Sequence, residues 1–114
     1  MDAGSGTNGH QRLAVLSEAA TLDLAEIHTH TNRRWGWEQA ERYIQFIREE
    51  AQKVADGETL GKPIPRCPGR FYISETWHNA RDGHRIVYEI VPEGISIVRI
   101  LHTAMLMLKH VKRR

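Results

Sequence analysis

The sequence predicts one α+β domain in which two helices, joined as a hairpin, pack on one face of a small, mostly antiparallel sheet. Two amphipathic stretches with helical spacing come first, over residues 17–55, and three apolar stretches with strand character follow, over residues 70–102. A short apolar run at residues 12–16 precedes them, and a short helix is predicted over 104–112. The predicted order is therefore β-α-α-β-β-β-α, and helices that cover one face of an antiparallel sheet define the α+β class.

Residues 12–16, with the sequence RLAVL, form the first predicted strand, which ends at Ser17. The hydroxyl of Ser17 can accept a hydrogen bond from the backbone N–H of Ala20, as an N-cap residue does. The helix that follows has five side chains at spacings of 4, 3, 4 and 4, which mark one face of a helix: Ala20, Leu24, Ile27, Thr31 and Trp35. We expect Asp23 and Glu26 to lie on the outward side of this helix.

A second helix is predicted directly after the first. Gly36 stands between two tryptophans and suits a helix end, because glycine adopts a left-handed conformation without strain. From Glu38 the apolar spacing resumes as 4, 3, 4 and 3, again one helix face, with the members Ala40, Ile44, Ile47, Ala51 and Val54. The Asp-Gly pair at residues 56–57 ends this helix. Two amphipathic helices joined so closely predict an antiparallel hairpin.

Residues 58–69 contain three prolines and are expected to form a loop. Strands are predicted over 70–77, 84–91 and 95–102, because each is rich in β-branched or aromatic residues. The last of them is almost continuously apolar, which predicts an interior strand that is buried on both faces. Six side chains of the predicted helices and strands are expected in the core: Trp35, Ile44, Ile47, Tyr88, Ile97 and Ile100.

Composition narrows the class of protein. Of the 114 residues, 40% are hydrophobic and 26% are charged, which is typical of a globular chain. No apolar run approaches the roughly 18 residues of a membrane span, and no signal peptide is evident, so no membrane association is expected. Cys67 is the single cysteine, which excludes an internal disulfide and indicates a reducing cytosol. Residues 1–11 are expected to be a disordered extension, either native or left from cloning, and residues 12–114 the single domain.

Charge is divided unevenly along the chain, although the formal net charge is only +2. Residues 1–57 carry nine acidic and six basic side chains, whereas residues 58–114 carry five acidic and ten basic ones. Four of those ten basic side chains lie within the last six residues. The basic second half suits an anionic target, and a solvated basic tail with no partner explains the same pattern.

Seven histidines raise the question of a metal site, but their spacing argues against one. His28 and His30 are two residues apart on a predicted helix and therefore project about 200° from each other. No zinc, phosphate-loop, dinucleotide or serine-hydrolase motif occurs, and we expect neither a metal nor a cofactor. Cys67 follows Arg66, whose charge can activate a thiol, although a lone loop cysteine is more often incidental.

A basic cluster is predicted where the last two strands meet. Arg99 and His102 lie at the end of the final strand. His84 and Arg85 begin the strand before it. Because the start of one antiparallel strand lies beside the end of its partner, we expect these four side chains to come together, with Lys109 nearby. Such a cluster can bind phosphate and supply a general acid or base for RNA cleavage. A partner-binding surface, or a strand end bonded to backbone, explains the same residues.

Four segments together resemble the ParE branch of the RelE/ParE superfamily of bacterial type II toxins: LSEAATLDLAEI (16–27), HTNRRWGWEQAERYI (30–44), HRIVYEIV (84–91) and IVRILHTAM (97–105). The resemblance runs from about Arg12 to Val111. It implies a RelE/ParE-like fold, a ParD-like antitoxin that neutralises the toxin, contact with operator DNA only through that antitoxin, and a cytoplasmic location. It also implies that the chain poisons DNA gyrase and blocks replication, as an inhibitor and not an enzyme.

Two other functions stay open. The RelE branch cleaves messenger RNA on the ribosome, and on that interpretation His102, Arg85 and Arg99 are the catalytic residues. RelE-like ribonucleases use basic residues and a tyrosine or similar group near the C-terminus, whereas this chain has no tyrosine after Tyr88 and a largely apolar terminal segment. The third hypothesis is a homologue that has lost toxicity and only binds an antitoxin.

For a gyrase poison, the candidate residues divide between two partners. The residues expected to bind the target combine apolar and basic side chains: His102, Met105, Leu106 and Lys109. The residues expected to bind the antitoxin lie on the last two strands: Arg85, Arg99 and Tyr88. We expect the antitoxin to lay an extended segment, with apolar anchors and acidic groups, across the helical hairpin and the sheet.

Overall fold

The computed structural model describes residues 12–75 and 83–103. They form two helices, α1 (Glu18–Trp35) and α2 (Trp37–Ala55), and five strands, β1 (Leu13–Leu16), β2 (Lys62–Pro63), β3 (Phe71–Glu75), β4 (His84–Val91) and β5 (Gly94–His102). The predicted extension over 1–11 and the predicted helix over 104–112 lie outside the described residues. The α+β class and the order of the other elements are as predicted, and β2 is an addition.

The strands form one sheet in the order β1-β5-β4-β3-β2. β1 is parallel to β5, and the other neighbouring pairs are antiparallel. β5 therefore has a hydrogen-bonded neighbour on each side, which confirms the interior strand predicted from its apolar sequence. The sequence predicts a loop where β2 lies, because a two-residue edge strand that contains a proline has no periodicity to detect.

The helices cover one face of the sheet, and the main core lies between the two layers. Its buried members come from both helices and three strands, and include Ala20, Leu24, Ile27, Tyr43, Ile47, Ala51, Ile73, Ile86, Tyr88, Ile97 and Ile100. A smaller cluster covers the opposite face of the sheet: Ile64, Cys67, Val87 and Leu101. The loop between β2 and β3 supplies two of its members, so Cys67 is packed there as a small apolar side chain, 2% exposed.

The two ends of α1 are formed as the sequence predicts. The side-chain oxygen of Ser17 accepts a hydrogen bond from the N–H of Ala20 at 3.0 Å. Gly36 separates α1 from α2 with a φ of 95°, a left-handed value that favours glycine. Its N–H donates to the carbonyl oxygen of Asn32 at 2.9 Å. This one-residue junction reverses the chain and places α2 beside α1 as an antiparallel hairpin.

Most of the predicted core is confirmed. Four of its six side chains are at most 3% exposed: Ile47, Tyr88, Ile97 and Ile100. Ile44 is partly buried against the core. The prediction for Trp35 is wrong, since its side chain is 65% exposed. The buried residues of α1 all fall between Ala20 and Ile27, so the last turns of the helix extend past the sheet. The outward placement of Asp23 is also wrong, because that residue is only 7% exposed.

Candidate functional site

Two histidines meet where β4 begins and β5 ends. His84 is the register partner of His102, and their rings lie edge to face with centroids 5.5 Å apart. The hydroxyl of Tyr43, on α2, forms a hydrogen bond of 2.6 Å with Nδ1 of His84. This contact ties the second helix to the end of the sheet from which the chain continues toward its C-terminus. The predicted meeting of the two strand ends is confirmed for the histidines.

Carboxyl groups lie beside this histidine pair. Glu75 on β3 is the register partner of His84, and it shares a hydrogen bond with Glu50 on α2. Burial, and then the charge of Glu50, raise the pKa of Glu75. Burial, together with the negative charge of Glu75, raises the pKa of Tyr43 to about 12. The Tyr43 hydroxyl therefore keeps its proton near neutral pH, and it serves as a hydrogen-bonding group rather than as a base.

Arg85 lies on the other face of the sheet. Its register partner is Leu101, a member of the smaller apolar cluster, and successive residues of a strand point to opposite faces. The guanidinium lies 5.9 Å from the ring centre of Tyr72, in a cation–π contact. Its Nη1 donates a hydrogen bond of 3.0 Å to the carbonyl oxygen of Thr103. Arg85 thus supports the backbone at the end of β5 from the face that the helices leave open.

Arg99 is engaged by the first helix. Its Nε and Nη2 donate to the two carboxylate oxygens of Asp23 at 2.8 and 2.9 Å. The same carboxylate accepts the backbone N–H of Ile100 at 2.9 Å. This bidentate pair raises the pKa of Arg99 further above its already high value, chiefly through the hydrogen bond to Asp23. Asp23 and Arg99 therefore form a structural ion pair between α1 and β5.

The reason for this ion pair lies in the unequal lengths of two strands. β1 pairs with β5 only as far as Leu16, which leaves the remaining edge of β5 without a strand beside it. The carbonyl oxygen of Val98 lies on this unpaired edge, and it accepts a hydrogen bond of 2.9 Å from the hydroxyl of Ser17. The backbone N–H of Ile100 lies farther along the same edge, and it donates a hydrogen bond to the carboxylate of Asp23. Polar side chains of α1 thus replace the missing strand, as backbone groups at a buried edge require.

The predicted cluster of four side chains is therefore divided into three places. His84 and His102 meet beside Tyr43, Arg85 lies on the opposite face, and Arg99 is bonded to Asp23. Three other expected target-binding residues lie outside the described residues: Met105, Leu106 and Lys109. Two residues of this region are not among the predicted site residues: Asp23 and Tyr43. Each of them is spaced by three and four residues from buried neighbours on its own helix, so periodicity alone could have placed both on the core face.

Tyr88, the third residue expected to bind the antitoxin, is internal. Its residue is 3% exposed, and its hydroxyl accepts a hydrogen bond from the N–H of Gly61 at 3.0 Å. Its ring stacks on Phe71 with centroids 5.7 Å apart. A side chain at Gly61 would collide with the Tyr88 hydroxyl, so this pair fixes the loop before β2 onto the sheet.

Apolar side chains are exposed on β1. Leu13 and Val15 are 48% and 52% exposed. They alternate with Ala14 and Leu16, which pack against the main core, so they point to the face away from the helices. This bare strip lies at the parallel edge of the sheet, and it is a surface on which a partner can bury apolar groups.

The helix junction exposes a second apolar surface. Trp35 and Trp37 are 65% and 63% exposed and flank Gly36. The ring of Trp37 contacts His28 edge to face, with centroids 4.5 Å apart, and His28 is bonded to Glu41 at 2.7 Å. This surface is not predicted from the sequence, because the helical spacing predicts that Trp35 lies in the core.

The part of the chain described, residues 12–75 and 83–103, contains no group of three or more His, Cys, Asp or Glu side chains placed to hold a metal ion. Over the same residues, neither helix is long and apolar enough to cross a membrane.

The sequence is similar to those of known toxins. The family model described as ParE toxin of type II toxin-antitoxin system, parDE, matches residues 14–107. Toxin ParE1 of Mycobacterium tuberculosis (strain H37Rv) is 32% identical over 93 residues, which cover 80% of this chain and 89% of that protein. Toxin ParE1 of Caulobacter vibrioides is 28% identical over 90 residues, which cover 79% of this chain and 88% of that protein.

The fold agrees with these sequence matches. A chain of the chromosomal ParDE TA system from P. aeruginosa superposes with a TM-score of 0.64 at 22% sequence identity. The superposition covers 82% of this chain and 97% of that one. Because the family model matches residues 14–107 and the mycobacterial toxin is 32% identical over 80% of this chain, the chain belongs to the ParE toxin family of type II toxin–antitoxin systems.

Proposed function

We propose that this toxin poisons DNA gyrase, blocks replication, and is neutralised by a ParD-like antitoxin. The observation that carries the choice of an inhibitor over a ribonuclease is the bidentate bond between Arg99 and Asp23, at 2.8 and 2.9 Å. A guanidinium held in this way, at an ion pair between a helix and a strand, has its best donors already engaged.

A ribonuclease needs a base, an acid and phosphate-binding charge fixed around one phosphate. The three residues that would supply them point to different surroundings. His102 contacts His84 beside α2, Arg85 contacts Tyr72 on the opposite face, and Arg99 contacts Asp23 on α1. This separation supports binding, rather than cleavage, as the function of the strand end.

The target surface in this proposal is the end of β5 and the segment after it. His102 is partly buried against His84, and Met105, Leu106 and Lys109, outside the described residues, follow it in the sequence. Apolar and basic side chains in this combination suit a protein target with an apolar pocket and an acidic or DNA-lined rim.

The antitoxin in this proposal crosses the helical hairpin, as expected from the sequence, and binds the sheet face that the helices leave open. Leu13 and Val15 offer exposed apolar groups, and Arg85 offers charge on the same face for an acidic side chain. Arg99 and Tyr88 were also expected to bind the antitoxin. Both stay predictions: Arg99 is bonded to Asp23, and Tyr88 is 3% exposed in the core on the helix side of the sheet. This proposal therefore places the direct contacts at Leu13, Val15 and Arg85.

Expression of the chain alone in a bacterial host separates the candidate functions. A gyrase poison produces gyrase-dependent DNA cleavage and an SOS response, a ribonuclease produces messenger RNA cuts, and an inactive homologue leaves growth unchanged. Growth arrest without any effect on gyrase would contradict the proposal.

Two variants test the surface. Deletion of residues 104–114 is expected to abolish toxicity while antitoxin binding is mostly kept, and His102→Ala is expected to weaken toxicity modestly, as loss of one contact. Leu60→Ala, at a side chain that is 89% exposed, is the matched control and should change neither. The reverse result, with His102→Ala abolishing arrest and the deletion nearly silent, would favour catalysis.

For the antitoxin surface, Val15→Glu should weaken capture of the antitoxin in a pull-down, because a charge would be buried in an apolar contact. Leu60→Glu, which places the same charge on an exposed side chain elsewhere, should leave capture unchanged. Equal capture by both variants would remove β1 from the antitoxin interface.

A further inference from the structure

The surface at the junction of α1 and α2 has no role in the proposed function. We define the helix tip as residues 32–38, all of which are exposed. Single exposed apolar residues are common on proteins, but here two indoles, each about two-thirds exposed, flank one glycine at the end of a hairpin. The core does not explain them, because the buried residues of α1 end at Ile27 and those of α2 begin at Ala40.

The indoles are held in place rather than loosely attached. The ring of His28 packs edge to face on Trp37, and Glu41 fixes that imidazole through a bond of 2.7 Å. The guanidinium of Arg34 lies 5.6 Å from the ring centre of Trp35. A rigid aromatic group loses little conformational entropy when a ligand stacks on it, so the tip is preorganised for binding.

The charge left over at the tip is positive. Residues 32–38 carry Arg33 and Arg34 against a single acidic side chain, Glu38, which is paired with Arg42 at 3.5 Å. Within residues 12–75 and 83–103, Arg33 and Arg34 have no acidic partner within salt-bridge distance. A ligand of the tip is therefore expected to be an anion that also presents flat apolar faces.

We propose that the helix tip binds single-stranded DNA, with unpaired bases stacked on Trp35 and Trp37 and phosphates bound by Arg33 and Arg34. Unpaired bases present planar faces beside one negative charge each, which matches two exposed indoles next to two guanidiniums. A duplex hides its base faces, and the tip, where two helices meet, offers no strand edge to an extended peptide. The choice of DNA over RNA rests on the proposed function at an enzyme that acts on DNA.

The test measures binding of a fluorescein-labelled oligo(dT) of about 12 nucleotides to the purified full chain by fluorescence anisotropy. Binding should quench tryptophan emission and weaken as salt rises. The double variant Trp35→Ala/Trp37→Ala should bind at least about tenfold more weakly. Leu22→Ala, a matched control at a side chain on the same helix that is 63% exposed, should bind as the parent chain does.

A second variant keeps the test decisive if removal of the indoles affects folding. Arg33→Gln/Arg34→Gln changes only exposed side chains and should lower the magnitude of the salt dependence by about 1.4 in log Kd against log salt, at roughly 0.7 per phosphate contact. Far-UV circular dichroism and the melting temperature confirm that each variant is folded. Unchanged binding by both folded variants would overturn the proposal.

Competing ligands identify the occupant. Tighter binding of the matching duplex, of an oligo(rU) of equal length, or of a polyglutamate peptide would overturn the assignment to single-stranded DNA, as would no binding of oligo(dT). The outcome is independent of gyrase. A chain that binds oligo(dT) through the tip but does not arrest growth contradicts only the proposed function, and a gyrase poison that does not bind oligo(dT) contradicts only this inference.

Discussion

The two halves of α1 have the same kind of sequence and opposite surroundings. Residues 18–27 lie on the sheet and bury three apolar side chains and one carboxylate. Residues 28–35 continue the apolar spacing through Thr31 to Trp35, yet Trp35 is 65% exposed. The difference arises because the contact of α1 with the sheet ends near Ile27.

This contrast shows that amphipathic spacing identifies a face of a helix but not what covers it. The covered half, residues 18–27, uses its apolar face to complete the core and its polar side chains to close the edge of β5. The bare half, residues 28–35, presents the continuation of this apolar face to solvent, and two arginines lie beside it. An uncovered apolar face at a rigid junction is a surface for a partner, and it costs the fold little to change it.

The largest loss of stability is expected in the core beneath the covered half of α1. Ile97 on β5 is 3% exposed and lies in the core cluster that contains Leu24. Ile97→Ala should lower the free energy of unfolding by about 2–5 kcal/mol, because the cavity left behind cannot be refilled. Urea denaturation measures this loss. Val15→Ala, on the exposed face of the adjacent strand, is the control, and a loss under ~1 kcal/mol for Ile97→Ala would mean that β5 does not support α1.

The second test removes the carboxylate of the covered half. Asp23→Ala leaves Arg99 without its partner and the N–H of Ile100 without an acceptor, and it should destabilise the fold by about 2–4 kcal/mol. Glu26→Ala, at an exposed position on the same helix, should cost less than about 0.5 kcal/mol. Asp23→Asn keeps one acceptor and should fall between them. Equal losses for Asp23→Ala and Glu26→Ala would show that the edge of β5 does not need this helix.

A smaller change in stability, which depends on pH, is expected for Glu75, where β3 meets α2. The pKa of Glu75 is raised by burial and by Glu50, so the folded state binds this proton more tightly than the unfolded state does. The resulting stabilisation is complete below the unfolded pKa and is lost as pH rises through the folded pKa. Glu75→Gln should therefore be more stable than the parent chain at pH 7, by less than about 1 kcal/mol after allowance for solvent screening.

Thermal unfolding at a series of pH values measures this difference. The gap between Glu75→Gln and the parent chain should close below about pH 4, where the carboxyl is protonated in both states. Glu49→Gln, on the exposed side of α2, is the control and should show no such trend. A gap that widens as pH falls would have the wrong sign and would contradict this account.

The smallest effect belongs to the bare half. Trp35→Ala should change the free energy of unfolding by no more than about 0.5 kcal/mol, because the indole is mostly in water. The same urea denaturation used for Ile97→Ala gives a direct comparison between the two surroundings. A loss of about 2 kcal/mol or more would show that the tip is part of the core, and the contrast between the two halves of α1 would fail.

Local sequence was sufficient for most of the secondary structure. Ser17 as a cap, Gly36 as the helix junction and the interior position of β5 all follow from short-range chemistry, and the structure confirms each one. The meeting of His84 and His102 also follows, because a hairpin register is local. The family resemblance, carried by four short segments, needed no structure either.

The functional assignments of the arginines could not be derived in this way. A sequence shows that Arg85 and Arg99 lie near a strand end. It does not show on which face of the sheet each side chain lies, or which carboxylate it binds. Asp23 lies more than 70 residues before Arg99 in the chain. Their pairing exists only because β1 stops short and brings α1 against the open edge of β5.

The sequence by itself therefore determined the elements, their order and the family, since caps, periodicities and turns act between residues close together in the chain. Tertiary structure alone decided that Asp23 pairs with Arg99, that Trp35 is exposed, that β2 pairs with β3, and that the basic residues of the strand end are divided among three surroundings. The physical reason is that burial and pairing depend on where the sheet ends beneath a helix, and this is set by contacts between segments far apart in the chain.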